Sequence, residues 1–446
     1  MKGQRLSRRE FLQRMAAVAA VVGGAGCTGR GRLRRVAPSE TILHACIGAS
    51  GMAASDLNSI THHPFVKLVA IADVDLPRAE AWRQKFPGVR IYQDWRRLLE
   101  TEKELDTLNV STPDHMHAPI AMAALQRGVH VYVQKPLTHD VYETRQLTRV
   151  ARQKGLVTQM GIQIHSLQEY RLAVALVRSG VIGKVREVHL WSDKDWGDPG
   201  PPPQRSDPVP PGLDWDGWLG VAAWRPYIGE GYYHPGNWRR RLDFGTGTLG
   251  DMGCHIFDPV FNALALTAPV RVRSEGAAPN AWNWASNARI HYTFPGTAYT
   301  AEATLPVTWY DGTQKPPPEV RALIEDEPWP AQGSLCIGTR GVMLLPHIGM
   351  PKLFPRKQFE GFHMPGIEGA NHYTQFLEAV RGNDRTTAGF DYSGPLTETV
   401  LLGCVATHFP QTTLEWDAAA LRFKNLSEAN AYLRRRYRPS WEVRGL

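Results

Sequence analysis

Cysteine is scarce in this sequence, and several motifs that would define other protein classes are missing. The 446 residues include five cysteines, and no two of them are separated by the two residues of a CxxC motif. Buried free thiols are therefore expected, rather than a disulfide framework or a bound metal. A G-x-S-x-G elbow is also lacking. Around Ser50 the motif would need a glycine two residues after the serine, and Met52 occupies that position. This argues against a serine hydrolase.

Acidic residues are almost absent from the first 35 positions. That stretch carries nine Lys and Arg residues against Glu10 alone, a charge of +8 that equals the formal net charge of the whole chain. Residues 36–446 therefore sum to about zero. Because the basic excess is confined to one end, it gives no support for a nucleic-acid partner.

The basic segment has the layout of an export signal. Arg8 and Arg9 precede Phe-Leu, a short apolar run covers 15–22, and small residues follow it. This pattern predicts a twin-arginine signal and linker over 1–40, export by the twin-arginine machinery, and a periplasmic location. The apolar run is too short for a transmembrane helix. A lipid anchor at Cys27 stays open, since Gly24 occupies the position where such sites usually have Leu.

The start of the next segment predicts a nucleotide site. An apolar strand pattern ends at Gly48, a turn of small residues follows, and a helical pattern begins at Ala54. A strand, a tight turn and a helix in this order open a dinucleotide-binding unit, in which phosphate lies at the helix N-terminus. The glycine motif is incomplete, with Ser50 and Ala53 at two of its three positions.

A second strand pattern ends in an acidic residue, Asp73, 25 positions after Gly48. A carboxylate there can accept hydrogen bonds from ribose hydroxyls and repels a 2′-phosphate, so NAD is favoured over NADP. A helix cap is the structural alternative for Asp73. Strand and helix patterns then alternate up to Lys154, which predicts a doubly wound parallel sheet, the Rossmann architecture, over 41–160.

Four long segments of the sequence together resemble one enzyme family. They are 111–137, 176–191, 237–259 and 430–443. In these segments the chain resembles the glucose–fructose oxidoreductase and inositol dehydrogenase family, the Gfo/Idh/MocA proteins. The resemblance implies a C-terminal α/β domain over 161–446, built on an open and mostly antiparallel sheet. It also implies a homo-oligomer, a dimer or tetramer, that associates through this sheet.

The resemblance also implies a catalytic constellation of Lys135, Asp251 and His255. In the family, the histidine takes the proton of a substrate hydroxyl while the lysine and the aspartate position that hydroxyl. An imidazole suits this role near neutral pH. The chain departs from the family at Gln134, where Glu normally precedes the Lys-Pro pair. The structural alternative is a buried histidine capped by an aspartate one helical turn away.

Residues at the predicted strand ends and in the turn after the first strand are expected to bind the cofactor. These are Gly48, Ser50, Gly51, Met52, Asp73, Thr112, Pro113, His117, Gln134 and Lys135. Two histidines in the 111–117 loop could suggest a metal, but no third group of ligands supports one. Because the twin-arginine route carries folded proteins, we expect the NAD to be tightly retained.

A segment rich in Pro and Trp, 191–245, is the candidate region for binding carbohydrate. Sugar faces stack on aromatic rings while hydroxyls bind polar groups. The candidate substrate ligands are His165, Tyr232, His234 and Arg239.

Three functions remain open from the sequence alone. The favoured one is NAD-dependent oxidation or reduction of a hydroxyl on a sugar, polyol or glycoside. The second is NAD-dependent cleavage of a glycoside through transient oxidation and elimination, with Tyr232 or His234 as the additional acid or base. The third is a non-catalytic sugar-binding protein on the same fold.

Overall fold

A computed structural model describes residues 41–446 of the chain. The expected twin-arginine signal, its cleavage region and Cys27 lie outside the described residues and stay predictions. Within 41–446, no helix is both long and apolar enough to cross a membrane.

The first part of the chain folds around a parallel sheet. Its strands are β1 (Ile42–Ile47), β2 (Val66–Ala72), β3 (Arg90–Tyr92), β4 (Thr107–Val110), β5 (His130–Gln134) and β6 (Thr158–Gly161). All neighbours pair in parallel, in the order β3-β2-β1-β4-β5-β6. This is the strand order of a doubly wound dinucleotide-binding fold, with ligands expected at the carboxyl edge of the sheet. The Rossmann prediction is confirmed.

Helices cover both faces of this sheet. They are α1 (Met52–Thr61), α2 (Leu76–Glu80), α3 (Trp95–Thr101), α4 (His117–Gln126) and α5 (Val141–Lys154). The sequence sets the ends of α5 clearly. Asp140 and Glu143 form a reciprocal capping box at its start, and Gly155 ends it in a left-handed conformation.

A larger sheet follows, in the order β13-β12-β11-β7-β10-β9-β8-β14-β15. Its strands are β7 (Val185–Ser192), β8 (Arg271–Glu275), β9 (Arg289–Pro295), β10 (Thr304–Asp311), β11 (Gln332–Gly338), β12 (Val342–Pro346), β13 (Lys352–Phe354), β14 (Thr413–Asp417) and β15 (Arg422–Phe423). β7 and β10 pair in parallel, and the other pairs are antiparallel. The predicted C-terminal fold class is therefore confirmed.

The helices of this second part join it to the first. They are α6 (Gln168–Ser179), α7 (Trp215–Leu219), α8 (Gly247–Ala263), α9 (Pro318–Ala322), α10 (His372–Val380) and α11 (Phe390–Thr407). Short 3₁₀ turns occupy Ala81–Gln84, Asp114–Met116, Gln163–Ser166, Asn237–Arg240, Arg356–Phe359 and Ser427–Tyr432. α8 packs against α6, α11 and strands of the second sheet, while α11 also packs on α5 of the first part. One apolar core consequently runs through both parts.

Residues 207–244, which we call the clasp, form a layer of their own. Their aromatic and aliphatic side chains make a separate buried cluster around Trp215, Trp218, Tyr233 and Phe244. Val74, two residues after β2, packs against that cluster. The clasp therefore rests on the first sheet although it belongs to the second part of the sequence.

Candidate active site

A cavity of about 540 Å³ lies where the carboxyl edge of the first sheet meets the second part. Its wall includes Gly48, Ser50, Gly51, Met52, Asp73, Thr112, Pro113, Gln134, Lys135, His234, Arg239, Asp251 and His255. Most of the residues predicted from the sequence to bind cofactor or act in catalysis thus line one space. Because three strand spacings of about 4.8 Å separate β2 from β5, Asp73 and Lys135 mark ends of the cavity roughly 14 Å apart.

The turn after β1 is shaped for close approach by a ligand. Gly48 has φ +101°, and a Cβ built there would lie 2.5 Å from the Ser111 carbonyl oxygen, so only glycine fits. At Gly51 no side chain caps the N-terminus of α1. Uncapped N–H groups at a helix start suit a phosphate group. These residues therefore fit the pyrophosphate of a dinucleotide.

Asp73 lies at the β2 end of the cavity and is held by backbone groups. Its carboxylate accepts hydrogen bonds from the N–H of Ala49, at 2.8 Å, and of Asp75, at 2.9 Å. Burial raises the pKa of Asp73 to about 6. Close by, Arg78 donates to the Ser50 hydroxyl at 2.6 Å. This end matches the adenosine end of dinucleotide sites on this fold.

Lys135 reaches across from β5 to α8 at the other end. Its Nζ donates to the Asp251 carboxylate at 2.7 Å and to the Asp251 carbonyl oxygen at 2.6 Å. An ammonium group has three N–H donors, so one remains for a ligand. Asp251 and His255 are one turn apart on α8, and both line the cavity.

Asp251 has more cationic partners than the sequence suggested. Its carboxylate also accepts from Lys194 at 3.2 Å, from Arg239 at 3.3 Å and from the indole of Trp196 at 2.8 Å. The residue is only 6% exposed. Burial alone would raise the pKa of Asp251, but Lys135, Arg239 and Lys194 outweigh it and hold the pKa well below its usual value.

Two histidines lie together beside this carboxylate. The ring centroids of His255 and His347 are 5.2 Å apart, and both residues line the cavity. Burial, with Lys135 nearby, lowers the pKa of His255 well below its usual value. Burial and Lys194 lower the pKa of His347 to about 4. Both rings are therefore neutral near pH 7 and able to accept a proton.

His117 supports the cavity rather than lining it. Its two ring nitrogens lie 2.7 Å from the Pro136 carbonyl oxygen and 2.9 Å from that of Thr112. It thereby links the two strand-end loops that were predicted to bind the cofactor. Asp114 makes a second link, because it accepts from the N–H and hydroxyl of Thr246 just before α8.

Gln134 departs from the family pattern, and its partner explains why. The Gln134 amide donates to both oxygens of Asp56, at 2.8 and 3.0 Å, in a buried position. Asp56 also accepts from the hydroxyls of Ser111, at 2.7 Å, and Tyr373, at 2.8 Å. A glutamate at 134 would set two carboxylates against each other. In this chain the acidic group of the pair is on α1 and the amide is on β5.

Substitution of Gln134→Glu is expected to destabilise the protein by about 3–5 kcal/mol at neutral pH, because it buries an uncompensated charge. One carboxyl of the new pair takes a strongly raised pKa. The loss of stability should therefore grow as pH rises above the ordinary glutamate pKa of about 4.3. Thermal unfolding measured across pH checks this.

The matched control is the double variant Asp56→Asn/Gln134→Glu, which reverses the polarity of the pair. It should recover most of the lost stability, since one carboxylate again faces one amide. Equal stability of the double variant and Gln134→Glu at neutral pH would contradict this account.

The structure separates the four predicted substrate ligands. Arg239 lies at Asp251, whereas His234 lies at the adenosine end, with Nε2 3.1 Å from Asp75. Tyr232 is outside the cavity wall, since its ring packs under the Arg241 guanidinium. His165 is outside as well, in a buried pair with Asp258 at 3.0 Å. Tyr232 and His234 are therefore poorly placed to act beside His255.

Sequence reasoning missed Lys194 and His347 as site residues. Each follows a strand of the second sheet, β7 for Lys194 and β12 for His347. Polar residues just after a strand are a usable signal, but nothing in the local spacing shows that these two strand ends converge. Within 41–446, no three His, Cys, Asp or Glu side chains are grouped to hold a metal.

The fold and the cavity together define a Rossmann-type nucleotide-binding protein with a second sheet domain. Residues 42–162 match the model of "Oxidoreductase family, NAD-binding Rossmann fold", and residues 177–299 match that of "Oxidoreductase family, C-terminal alpha/beta domain". The two matches cover more than half of the sequence. The chain belongs to the Gfo/Idh/MocA oxidoreductase family.

Curated relatives are similar over part of their length. Levoglucosan dehydrogenase of Pseudarthrobacter phenanthrenivorans is 26% identical over 195 residues, covering 44% of this chain and 41% of the relative. The dTDP-3,4-didehydro-2,6-dideoxy-alpha-D-glucose 3-reductase of Streptomyces antibioticus is 31% identical over 152 residues, covering 34% and 46%. The chain thus spans less than half the length of these relatives.

Solved structures share the fold across most of the chain. WlbA dehydrogenase from Bordetella pertussis, in complex with NADH and UDP-GlcNAcA, has a TM-score of 0.59 at 14% identity. The structural match covers 84% of this chain and 99% of the WlbA chain. GenD2 from gentamicin A biosynthesis, in complex with NAD, has a TM-score of 0.57 at 18% identity, covering 85% and 97%.

Proposed function

We propose that this chain transfers hydride between bound NAD and a hydroxyl-bearing carbon of a sugar, polyol or glycoside. The observation that carries the proposal is the convergence of Lys135, Asp251 and His255 at one end of a cavity whose other end fits a dinucleotide. Relatives named for levoglucosan and for a deoxysugar nucleotide support a carbohydrate substrate.

The chain's own residues handle the proton while the dinucleotide, when bound, accepts or supplies the hydride. Neutral His255 takes the proton of the substrate hydroxyl. The free N–H donor of Lys135 stabilises the charge that develops on the same oxygen. Asp251 positions Lys135 through the 2.7 Å ion pair.

We also propose NAD rather than NADP as the cofactor. The buried carboxylate of Asp73 accepts from backbone N–H groups and lies at the adenosine end, where it would repel a 2′-phosphate. Arg78 is nearby but already contacts Ser50 and Asp75. Preference for NAD is measured by titrating each dinucleotide into protein from which nucleotide has been removed.

Tight retention of the dinucleotide is part of the proposal, and the clasp supports it. The Asp214 N–H donates to the Val74 carbonyl at 2.8 Å, and the Leu76 N–H donates to the Gly212 carbonyl at 3.0 Å. Trp218 and His234 of the clasp line the cavity, and His234 lies 3.1 Å from Asp75, close to Asp73 in the chain. A bound dinucleotide would thus be covered at its adenosine end.

Substitution of Gly212→Val is expected to speed nucleotide release. Gly212 has φ +85°, and a Cβ there would lie 2.8 Å from the Pro77 ring. Strain of about 1–3 kcal/mol is relieved if the clasp lifts from the segment after β2, which corresponds to roughly five- to 150-fold weaker retention. The protein is loaded with NADH, because only the reduced nicotinamide fluoresces, and the rate at which NADH leaves the protein measures the effect.

Trp224→Ala is the matched control in the clasp. Trp224 is 66% exposed and does not line the cavity, so its loss should leave retention unchanged. Equal release rates for Gly212→Val and Trp224→Ala would contradict a retaining role for the clasp.

Export and assembly remain proposals. We propose that residues 1–40 direct the chain through the twin-arginine route to the periplasm, with a lipid anchor at Cys27 as an alternative, and that the protein forms a dimer or tetramer. Fractionation of cells carrying Arg8→Lys/Arg9→Lys tests the route. Light scattering of the purified protein tests the assembly.

The experiment that tests the reaction uses a substrate panel. Purified protein receives glucose, myo-inositol, levoglucosan or para-nitrophenyl glucoside, and both nicotinamide absorbance and nitrophenol release are followed. Reduced nicotinamide with any of these supports hydride transfer. No reduction in a single turnover with any probe, at saturating NAD, overturns the proposal.

Glycoside cleavage without net redox change is the second candidate function. The observation that favours it is the additional imidazole, His347, beside His255. Nitrophenol release without lasting nicotinamide reduction would support this function over simple dehydrogenation.

A further inference from the structure

His347 has a place in the cavity but no role in hydride transfer. It follows β12, and its ring centroid lies 5.2 Å from that of His255, at an interplanar angle of 56°. The Nδ1 atoms of both rings are buried, and neither has a hydrogen-bond partner among residues 41–446. Oxidation of one hydroxyl releases one proton, which His255 accepts. The neutral imidazole of His347 therefore has no proton to accept in hydride transfer.

The product of hydroxyl oxidation offers a second acidic hydrogen. Once a ring carbon has become a ketone, the hydrogen on the neighbouring carbon is acidified, because the electron pair of the C–H bond can move into the carbonyl. Neighbouring ring carbons are one bond apart. Two bases 5.2 Å apart along one wall can thus reach the hydroxyl on one carbon and the hydrogen on the next.

We propose that His347 is a further catalytic base, which removes the hydrogen from the carbon next to the oxidised one. This inference rests on the proposed function, which supplies the oxidised substrate. The C–H bond breaks, its proton goes to the His347 ring, and its electron pair forms a carbon–carbon double bond. The carbonyl oxygen becomes an enolate oxygen, so no oxidant or reductant is consumed.

The charges around the site favour such an enolate. The enolate oxygen is the former hydroxyl oxygen, which lies where Lys135 has its remaining donor. Lys194 and Arg239 add positive charge beyond what Asp251 neutralises, since three cations share that one carboxylate. Preorganised donors and cations at a developing oxyanion lower its energy. Burial, with Lys194 and Lys135 nearby, lowers the pKa of His347 to about 4, so its ring is neutral at pH 7.

The step defines a class of substrate. In a glycoside oxidised two carbons away from its glycosidic carbon, the enolate can expel the aglycone oxygen. The C–O bond then breaks, and the leaving oxygen collects a proton from an imidazolium of the site. Reprotonation of the enolate at carbon would instead return the ketone, with hydrogen from solvent.

Hydrogen exchange in heavy water tests His347 directly. Purified protein with NAD is mixed with whichever panel probe the wild type oxidises, para-nitrophenyl glucoside being the first choice. Nicotinamide reduction is followed in a single turnover, and recovered sugar is analysed by mass spectrometry and NMR. The wild type should incorporate deuterium next to the oxidised carbon, above a sample without enzyme.

The variants separate the two histidines. His347→Ala and His347→Gln should lower deuterium incorporation, relative to single-turnover reduction by the same variant, by about 10²–10⁴-fold, the usual contribution of a general base. Gln retains most of the side chain's size and polarity, which guards against misfolding. His255→Ala should lose both signals. His363→Ala, at an exposed histidine, should keep both.

Several outcomes would overturn the inference. One is nicotinamide reduction by the wild type without deuterium incorporation. Another is unchanged exchange in both His347 variants, and a third is a change in KM alone, which would assign His347 to binding a neighbouring hydroxyl. Absence of nicotinamide reduction with every probe would instead overturn the proposed function itself, and this inference with it.

Discussion

Substitution of Asp251→Asn is expected to cost about 3–5 kcal/mol of unfolding free energy, because it breaks a buried charge cluster by removing one partner. Asp251 is the shared carboxylate of Lys135, Lys194 and Arg239. An amide of the same size cannot neutralise three cations. Lys135 would also lose its 2.7 Å ion pair, so turnover should fall together with stability. Denaturant unfolding and single-turnover reduction measure the two effects.

The exposed pair of Asp193 and Lys315 provides the control. Removal of a surface ion pair costs about 0–1 kcal/mol, so Asp193→Asn should unfold nearly as the wild type does. If Asp251→Asn lowers the unfolding free energy by less than about 1 kcal/mol, its effect equals that of a surface ion pair. That result would contradict the stabilising role assigned to the Asp251 cluster.

The pH dependence of stability follows from the same carboxylate. Its pKa in the folded state is held well below the unfolded value by the three cations. Its stabilisation is therefore complete above the unfolded pKa of about 3.9 and is lost as pH falls through the folded pKa. Asp251→Asn should consequently differ most from the wild type at neutral pH and least in strong acid.

Substitution of His255→Asn is expected to lower kcat by about 10²–10⁴-fold, the usual contribution of a general base. Asparagine can still hydrogen-bond the substrate hydroxyl but cannot carry its proton away. Nucleotide retention should not change, since His255 lies at the catalytic end of the cavity and takes no part in the clasp contacts at Val74 and Leu76. Single-turnover nicotinamide reduction, with His363→Asn as the exposed control, measures the loss.

The wild-type pH profile gives an independent check on His255. Burial and Lys135 lower its pKa well below 6.5, so the ring stays neutral when pH falls through the ordinary histidine range. The rate of reduction should therefore hold through pH 6.5 and fall only in more acidic solution. An acidic limb centred near pH 6.5 would contradict this assignment.

Much of the fold was predictable because local patterns determine the first domain. The sequence patterns predict strands at 66–72 and 90–92, and these are the bounds of β2 and β3 in the structure. The sequence pattern predicts that α1 begins at Ala54. In the structure it begins at Met52, directly after the turn residue Gly51, so the turn is shorter than predicted. The family resemblance implied Lys135, Asp251 and His255, and the cavity brings them together.

The remaining parts of the site depend on contacts between distant segments. Lys194 and His347 reach Asp251 and His255 because β7 and β12 belong to one sheet, which local spacing cannot show. The aromatic segment suggested a binding surface, yet most of its rings form the core of the clasp. Tyr232, for example, packs against this core and lies under the Arg241 guanidinium instead of facing the cavity.

The pair of Asp56 and Gln134 has a consequence for how related chains are recognised. At this corner of the cavity an acid on α1 and an amide on β5 face each other. A search pattern that demands Glu before Lys-Pro would therefore pass over sequences like this one. A pattern that also accepts Gln before Lys-Pro when an acid stands opposite it on α1 would find them.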